Sequence, residues 1–422
     1  MFKSIYKGVI MKLRYTAMFS LICTLSAQGA NFSLDISNGT TGATYTSSAD
    51  ALESILNELD QTNIESHIGY NETNQLSANL DFRGLPVALS FVENSTTLTL
   101  DIDSLDIHES FTGSDRDDSI SLLEDWFKSN GKSSVEKMMK KLVEVSPVDP
   151  LAGNPNSLMA LTVESDFSDG FMNVASKQKA SGTTSSKVNR ISLGATYKSL
   201  DTDGRKSSSL TLPLSYSFVS SENSKERFNI SLPITYIDFE GAKSYTAGLG
   251  VSYSKPINEN WVITPGVKYS IVGSSDLGAL AQLGSCSLAS SYSFFLENKH
   301  TVSIGNMLGY YTTLKLYDGD YAYDPDIGNT VFRNAILYSI PTPNVVKNTS
   351  LDLFAIDTQY LGTELYLNSY DEFGFSFGYN KINVNVLSDK EEYAFEKELK
   401  IGMSYLTSSK SDGFKVNFGF TF

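Results

Sequence analysis

The chain is poor in cysteine, with only two cysteines among 422 residues. Cys23 falls in an N-terminal segment with the features of a cleaved leader, which leaves Cys286 for the mature protein. The cysteine count therefore excludes an internal disulfide, a zinc site built on thiolates and a Cys-x-x-Cys redox centre.

Charged residues are scarce as well, and basic residues are fewer than acidic ones. Charged residues make up 19% of the chain. The leader holds Lys3, Lys7, Lys12 and Arg14 and no acidic residue, so the remainder carries 48 acidic against 29 basic residues. A chain this acidic is a poor ligand for phosphate backbones, and we expect no nucleic-acid partner. Only 2 Trp accompany 24 Phe, 23 Tyr and 30 Gly, a composition that favours β structure.

Long apolar runs are missing beyond the leader. Residues 1–29 have a basic start, an apolar run from Tyr15 to Leu25 and a small-residue cleavage site at Ala27-Gln28-Gly29, which predicts a secretory signal peptide. The apolar run is shorter than the roughly 20 residues that a spanning helix needs. We therefore expect signal-dependent export, with membrane residence only as a β-barrel or as a surface-bound protein.

The C-terminal part alternates apolar and polar residues strictly. Phe414, Val416, Phe418, Phe420 and Phe422 share one face of a strand, with polar residues between them. Similar segments recur at roughly twenty-residue intervals from residue 188 onward, as expected for strand plus turn in a membrane barrel. The pattern predicts an all-β region at 188–422, a transmembrane antiparallel β-barrel of about twelve strands. A soluble β-sandwich is the alternative.

Some positions disturb this pattern. Pro213, Pro233 and Pro265 fall inside strands, where each removes a ladder hydrogen bond. The alternation between Leu351 and Leu367 shifts phase around Asp357, which predicts a bulge or kink there.

The closing aromatic strand, the leader and the repeated amphipathic segments together resemble a Gram-negative outer-membrane β-barrel. The resemblance covers about residues 185–422 and implies an outer-membrane location in contact with outer-membrane lipid. It also implies that Phe418, Phe420 and Phe422 form the signal recognised by the barrel assembly machinery. About twelve strands behind an exported region are similar to the translocator of an autotransporter, and the barrel is also porin-like.

Residues 30–150 lack the aromatic alternation and predict a small α+β soluble domain. The predicted elements are a helix from Leu52 to Leu59 capped by Ser47 or Ser48, strands at Pro86 to Val92 and Thr97 to Ile107, and helices at Ile120 to Lys128 and Val135 to Val145. Residues 151–187 are rich in Pro, Gly, Asn, Ser and Lys, and we predict a flexible polar linker.

No catalytic constellation emerges from the three histidines. His300 and Ser303 lie three residues apart, on opposite faces of a strand, and therefore cannot share a proton. We accordingly expect no enzyme and no cofactor. Acidic residues crowd one long loop, at Asp318, Asp320, Asp324 and Asp326. Oxygen ligands at this density suit calcium, but their spacing does not match an EF-hand loop, and we favour a solvent-exposed acidic loop over a cation site.

The inward face of the barrel carries charges of both signs. The predicted lumen-lining residues are Arg190, Lys198, Lys268, Arg333, Glu398 and Lys400. Such charges either line a water-filled pore or pair into a network that closes it. The sequence predicts a non-enzymatic outer-membrane barrel that passes small polar solutes or anchors a domain at the surface. The alternatives are an autotransporter-like translocator with a short N-terminal passenger, and a secreted β-rich adhesin or structural protein.

Overall fold

The computed structural model describes residues 30–128, 132–172, 189–220, 225–318, 321–342, 349–388 and 391–421. The expected signal peptide at residues 1–29 and the terminal Phe422 lie outside these ranges. The described residues form an N-terminal α+β domain and a closed antiparallel barrel of twelve strands. The predicted fold class is confirmed.

The N-terminal domain is built on one six-stranded antiparallel sheet, ordered β2-β1-β3-β4-β5-β6. Its strands are β1 (Phe32–Asn38), β2 (Ala43–Ala49), β3 (Leu76–Phe82), β4 (Leu85–Phe91), β5 (Thr97–Ile102) and β6 (Ile107–Thr112). The expected strand from Thr97 to Ile107 is in fact interrupted, because a 3₁₀ turn at Asp103–Leu105 and a left-handed Asp106 (φ 53°) separate β5 from β6.

Four helices cover one face of this sheet. They are α1 (Leu52–Glu58), α2 (Gln61–Ile68), α3 (Arg116–Lys128) and α4 (Lys132–Val145). Alternate strand residues such as Phe32 and Leu98 pack against helix residues such as Ile55 and Leu142 in one apolar core. The expected serine cap of α1 is wrong, because the helix begins after Ala51, which makes no side-chain capping bond.

The barrel begins at residue 189 and closes by pairing its last strand with its first. Its strands are β7 (Asn189–Thr202), β8 (Arg205–Val219), β9 (Arg227–Phe239), β10 (Ala242–Pro256), β11 (Trp261–Ser274), β12 (Ala279–Phe295), β13 (Thr301–Leu314), β16 (Gly328–Pro341), β17 (Thr349–Gly362), β18 (Ser369–Ser388), β19 (Glu391–Thr407) and β20 (Ser411–Thr421), with a short ribbon of β14 (Leu316–Asp318) and β15 (Tyr321–Tyr323) in the longest loop. Because the strand number is even, β7 begins and β20 ends at the same rim. We call this the entry rim and the opposite one the far rim.

The outer face of the barrel is apolar. Ile191, Leu249 and Leu361 are 53%, 56% and 57% exposed although they lie inside regular strands. Exposed aromatic side chains form a ring toward each rim: Tyr236, Tyr245, Tyr310, Tyr405 and Phe414 toward the far rim, and Phe218, Phe228, Tyr253, Tyr292 and Phe294 toward the entry rim. An apolar band between two aromatic girdles is the surface of a membrane-spanning barrel.

The three prolines and Asp357 all lie inside barrel strands. Pro213 and Pro233 stand opposite each other in β8 and β9, and the β10–β11 register is interrupted beside Pro265. The predicted bulge or kink at Asp357 is wrong, since β17 pairs without interruption through this residue on both sides. Asp357 instead shares the outward face of the strand with the apolar residues.

The N-terminal domain lies on the far rim. Its core continues into the barrel, because Phe239 and Leu277 of far-rim hairpins pack in the same apolar cluster as Phe32. The Asn31 side chain donates to the Phe239 carbonyl at 2.9 Å, and the Leu52 N–H donates to the Asp276 carbonyl at 2.7 Å.

Helix α4 contacts the other side of the same rim. Lys140 donates to the Asp326 carbonyl at 2.7 Å, and the Tyr366 N–H donates to the Val143 carbonyl at 2.8 Å. The domain therefore forms a cap over the far end of the barrel. Within the described ranges, no helix is long and apolar enough to cross a membrane.

Candidate functional site

The barrel lumen is occupied by the chain itself. Residues 151–172, which the sequence predicts to be part of a flexible linker, instead form buried turns, helix α5 (Leu158–Phe167) and a π-type turn at Ser168–Met172. The Pro/Gly/Asn run before α5 has the composition of a linker but makes tight buried turns. In α5 the polar residues Thr162, Glu164, Ser165 and Asp166 are distributed among apolar ones, so the helix has no amphipathic stripe. Residues 173–187 of the predicted linker lie outside the described ranges. We call residues 151–172 the plug.

The plug crosses the lumen from the far rim to the entry rim. At the far rim, the Asn156 side chain donates to Ser207 Oγ and accepts from Ser209 Oγ, each at 2.9 Å. Toward the entry rim, Asn229 donates to the Asp169 carboxylate at 3.2 Å. Contacts at both ends of the wall therefore fix the plug along its full length.

Asp166 is the centre of one polar cluster between plug and wall. Its carboxylate lies 2.9 Å from Lys268 Nζ and accepts hydrogen bonds from Ser285 Oγ and from the Tyr311 hydroxyl, both at 3.0 Å. Lys268 also lies 3.5 Å from Asp169. Because these groups are buried, each charge depends on its partner for the solvation that water no longer supplies.

Glu164 belongs to a second cluster on another side of α5. It lies 2.7 Å from Lys198 Nζ and 4.0 Å from Lys415 Nζ. Lys415 also contacts Glu372, which pairs with Arg333 at 3.2 Å. The plug contributes three carboxylates and no basic residue, whereas its partners on the wall in both clusters are mainly cationic. The lumen is therefore electrostatically complementary to the plug.

Steric fit complements the charges near the entry rim. A Cβ atom at Gly170 would lie 2.3 Å from the Cβ of Ala289, so only glycine fits there. The Phe171 ring occupies the space where Gly305 lacks a side chain. The guanidinium of Arg333 stacks over the Phe167 ring, 5.3 Å from its centroid.

A buried ion pair joins the domain to the start of the plug. Arg83 and Asp149 are 2.9 Å apart and almost completely buried. Burial raises the pKa of the Asp149 carboxyl and lowers the pKa of Arg83, because both lose hydration, and their mutual attraction opposes these shifts. Asp149 also accepts the N–H of Leu151 at 2.9 Å and thereby shapes the turn that leads into the lumen.

Space remains beside the plug. A cavity of about 320 Å³ lies between α5 and the wall that includes β7, β8 and β9. Hydroxyl groups of Thr196, Thr211 and Thr235 line it together with Pro213 and Pro233. Solute-sized space therefore exists within the lumen, next to the charged clusters.

Most of the predicted lumen-lining residues have described side chains. The structure places Lys198, Lys268 and Arg333 inside, in contact with the plug or its cluster, and buries Arg190 in β7. Lys400 in β19 pairs with Asp352 in β17 at 3.0 Å, so this ion pair lies within the barrel wall. The Glu398 side chain lies outside the described part of the chain.

Sequence reasoning missed Glu372 and Lys415 on the wall and all three plug carboxylates. The two wall residues stand in the inward phase of their strands, so the period-two pattern contains a signal for them. The plug carboxylates carried no comparable signal, because the plug has no strand period.

The C-terminal aromatics and the His300/Ser303 pair take no part in the plug contacts described above. Phe418 is 49% exposed on the outer face, Phe420 is half-buried, and the assembly role of the C-terminal aromatics stays a prediction. His300 contacts the Tyr338 hydroxyl, whereas Ser303 Oγ bonds Ser293 Oγ at 2.8 Å. These contacts keep the two residues apart.

The acidic loop holds the cap. The Asp324 N–H donates to Glu136 of α4 at 3.0 Å, and Asp326 lies 3.5 Å from Lys140. Asp320 and the Asp318 side chain lie outside the described residues. Among the residues that are described, no group of three potential metal ligands is assembled.

No family model matches the chain, and no curated protein is significantly similar to it in sequence. Solved structures that match it are outer-membrane β-barrels, as the resemblance predicted. The β domain of the Bordetella autotransporter BrkA is 11% identical and aligns over 56% of this chain and 98% of its own, with a TM-score of 0.41. The translocator domain of NalP from Neisseria meningitidis is 11% identical over 60% and 92%, with a TM-score of 0.39. The KdgM porin is 13% identical over 55% and 98%, with a TM-score of 0.33. Similarity at this level concerns the barrel fold alone.

Proposed function

We propose that this protein is a non-enzymatic outer-membrane anchor of the translocator type, which carries its α+β domain on the external face of the barrel. The observation that carries the proposal is the course of the plug. It starts at the domain on the far rim, runs through the lumen and ends toward the rim where β7 begins. A chain with this course has its N-terminal domain and its barrel entry on opposite sides of the membrane.

The orientation follows from the barrel ends. The entry rim holds the start of β7 and the end of β20, and in outer-membrane barrels the side with the chain ends faces the periplasm. The far rim then faces outward with the domain on it. The domain contains no cysteine, so no disulfide opposes its passage as an unfolded chain. The partners in this proposal are outer-membrane lipid and the barrel assembly machinery.

Surface labelling tests the orientation directly. In a Cys286→Ser background, Ser110→Cys places a thiol on the exposed sheet of the domain, and Asn298→Cys places a matched thiol in an entry-rim hairpin. We expect a membrane-impermeant maleimide to label Ser110→Cys on intact cells, and Asn298→Cys only after the outer membrane is permeabilised. Labelling in the opposite order would place the domain in the periplasm and reject the proposal.

The second candidate is a pore for small polar solutes, favoured by the cavity beside the plug. The two functions differ in a planar-bilayer recording of the full chain. A surface anchor with a seated plug gives no steady conductance, whereas a resident pore gives regular channel events without any mutation.

A further inference from the structure

The lipid-facing surface of the barrel carries a hydrogen-bonded set of polar side chains within its apolar band. Asn306 in β13 donates to Asn334 in β16 at 2.8 Å, and Asn334 donates to Asp357 in β17 at 3.3 Å. Gln359 donates to the same carboxylate at 3.2 Å. We call these four residues the polar ladder.

The ladder reaches deep into the apolar band. Asn306 lies between the outward-facing Ile304 and Leu308, which are 40% and 48% exposed. Asn334 lies between Phe332 and Ile336, which are 39% and 53% exposed. The ladder slopes from these positions toward the far rim, where Asp371 stands opposite Asp357 in register.

Lipid is a poor environment for these groups. Hydrocarbon supplies no hydrogen-bond donors or acceptors, and charged substitutions on the lipid face of a barrel are destabilising in a depth-dependent way. A primary amide has two N–H donors and an accepting oxygen. In the portion of the chain that the structure describes, the bonds above use one N–H of Asn306 and one of Asn334, so both amides retain capacity for a partner outside the barrel.

We propose that the polar ladder is the contact surface for a second copy of this chain in the membrane. A partner at this depth must itself expose polar groups within an apolar band. A two-fold axis that is parallel to the barrel axis and passes between β13 and β16 places Asn306 of one copy opposite Asn334 of the other, and the reverse. Amides are donors and acceptors at once, so Asn306 of one copy can exchange hydrogen bonds with Asn334 of the other, while each Asn334 also donates to Asp357 of its own chain.

The barrel contains a natural control surface. In the closed strand order, β8 lies six strands from β16, on the opposite side. There, Leu212 is 43% exposed among apolar neighbours. The proposed contact is independent of which rim faces outward, and therefore of the proposed function.

Cross-linking in native membranes tests the contact. In the Cys286→Ser background, Leu308→Cys introduces a thiol next to the ladder, and Leu212→Cys is the matched control. We expect oxidation to give a disulfide-linked dimer of this chain with Leu308→Cys and none with Leu212→Cys. Equal cross-linking at both positions, no cross-linking at Leu308, or a product with a different protein would each overturn the proposal.

A second measurement tests the polar groups themselves. The double variant Asn306→Leu/Asn334→Leu should raise the dimer dissociation constant in lipid nanodiscs about tenfold, because polar contacts between membrane segments are individually modest. Boiled and unboiled samples on a gel establish that the variant barrel folds. A folded variant that dimerises like the wild type, or a wild type that is monomeric in nanodiscs, contradicts the role of the ladder.

Discussion

Neutralising Asp166 should loosen the plug. In Asp166→Asn the carboxylate that faces Lys268, Ser285 and Tyr311 is lost, and the buried Lys268 ammonium keeps Asp169 at 3.5 Å as its nearest anionic partner. Removing one member of a buried ion pair costs about 3 to 5 kcal/mol. The remaining contact with Asp169 favours the lower end, so we expect about 3 kcal/mol.

The lost stabilisation of the plug should be observable as an increase in channel openings. A destabilisation of about 3 kcal/mol raises the ratio of unseated to seated plug roughly 100-fold, since each 1.4 kcal/mol is a factor of ten. Planar-bilayer recordings of the full chain should therefore show frequent openings in Asp166→Asn and rare ones in the wild type. Ser168→Ala is the control, because it alters the same segment without removing a charge.

The double variant Asp166→Asn/Lys268→Met provides the decisive comparison. It removes both charges, so no uncompensated ammonium remains in the lumen and openings should return toward the wild-type frequency. If Asp166→Asn folds, as judged by a shift between unboiled and boiled samples, and still opens no more often than the wild type, then the ion pairs do not hold the plug.

Three further outcomes follow from the structure. Gly170→Ala should unseat the end of the plug and increase conductance, because its Cβ overlaps Ala289, and adding Ala289→Gly should reverse the effect. The hydrogen bond that the His108 ring donates to the Asp101 carboxylate raises the pKa of His108. This contact therefore adds stability below the ordinary histidine pKa near 6.5 and loses it as pH rises through the raised value. Asp101→Asn should lower the pKa of His108 measured by an NMR titration, and an unchanged value refutes the assignment. The Arg116 guanidinium donates to the backbone carbonyls of Asn74, Val92 and Ser95, which lie in two turns of the N-terminal domain. Arg116→Met should therefore destabilise the cap by about 3 kcal/mol, detected as faster proteolysis of those turns in the intact protein, whereas unchanged cleavage argues against it.

Much of the barrel was accessible from the sequence because strand alternation is a local property. The outward positions of Ile191, Leu249 and Phe418 follow from a period of two residues, and the even number of strands follows from counting the repeats. The same alternation also marks the polar ladder, since Asn306, Asn334 and Asp357 occupy outward strand positions where apolar residues are expected. From the sequence alone, the phase shift at Asp357 predicts a bulge or kink, whereas the structure shows a polar residue on the outer face of a regularly paired strand.

The lumen was not accessible in this way. Residues 151–172 have neither a strand period nor an amphipathic stripe, because a helix enclosed on every side needs no polar face. Their composition of Pro, Gly and Asn followed by small and apolar residues suits a linker as well as a plug.

The sequence alone predicted a membrane-type barrel and an α+β domain ahead of it, since burial against lipid and burial in a core each impose a pattern on neighbouring residues. Only the tertiary structure decided that the barrel is filled and on which rim the domain lies. The contacts responsible join residues far apart in the chain, such as Asp166 with Tyr311 and Glu164 with Lys198. Partners of this kind are brought together by closure of the whole barrel, so no local pattern specifies them.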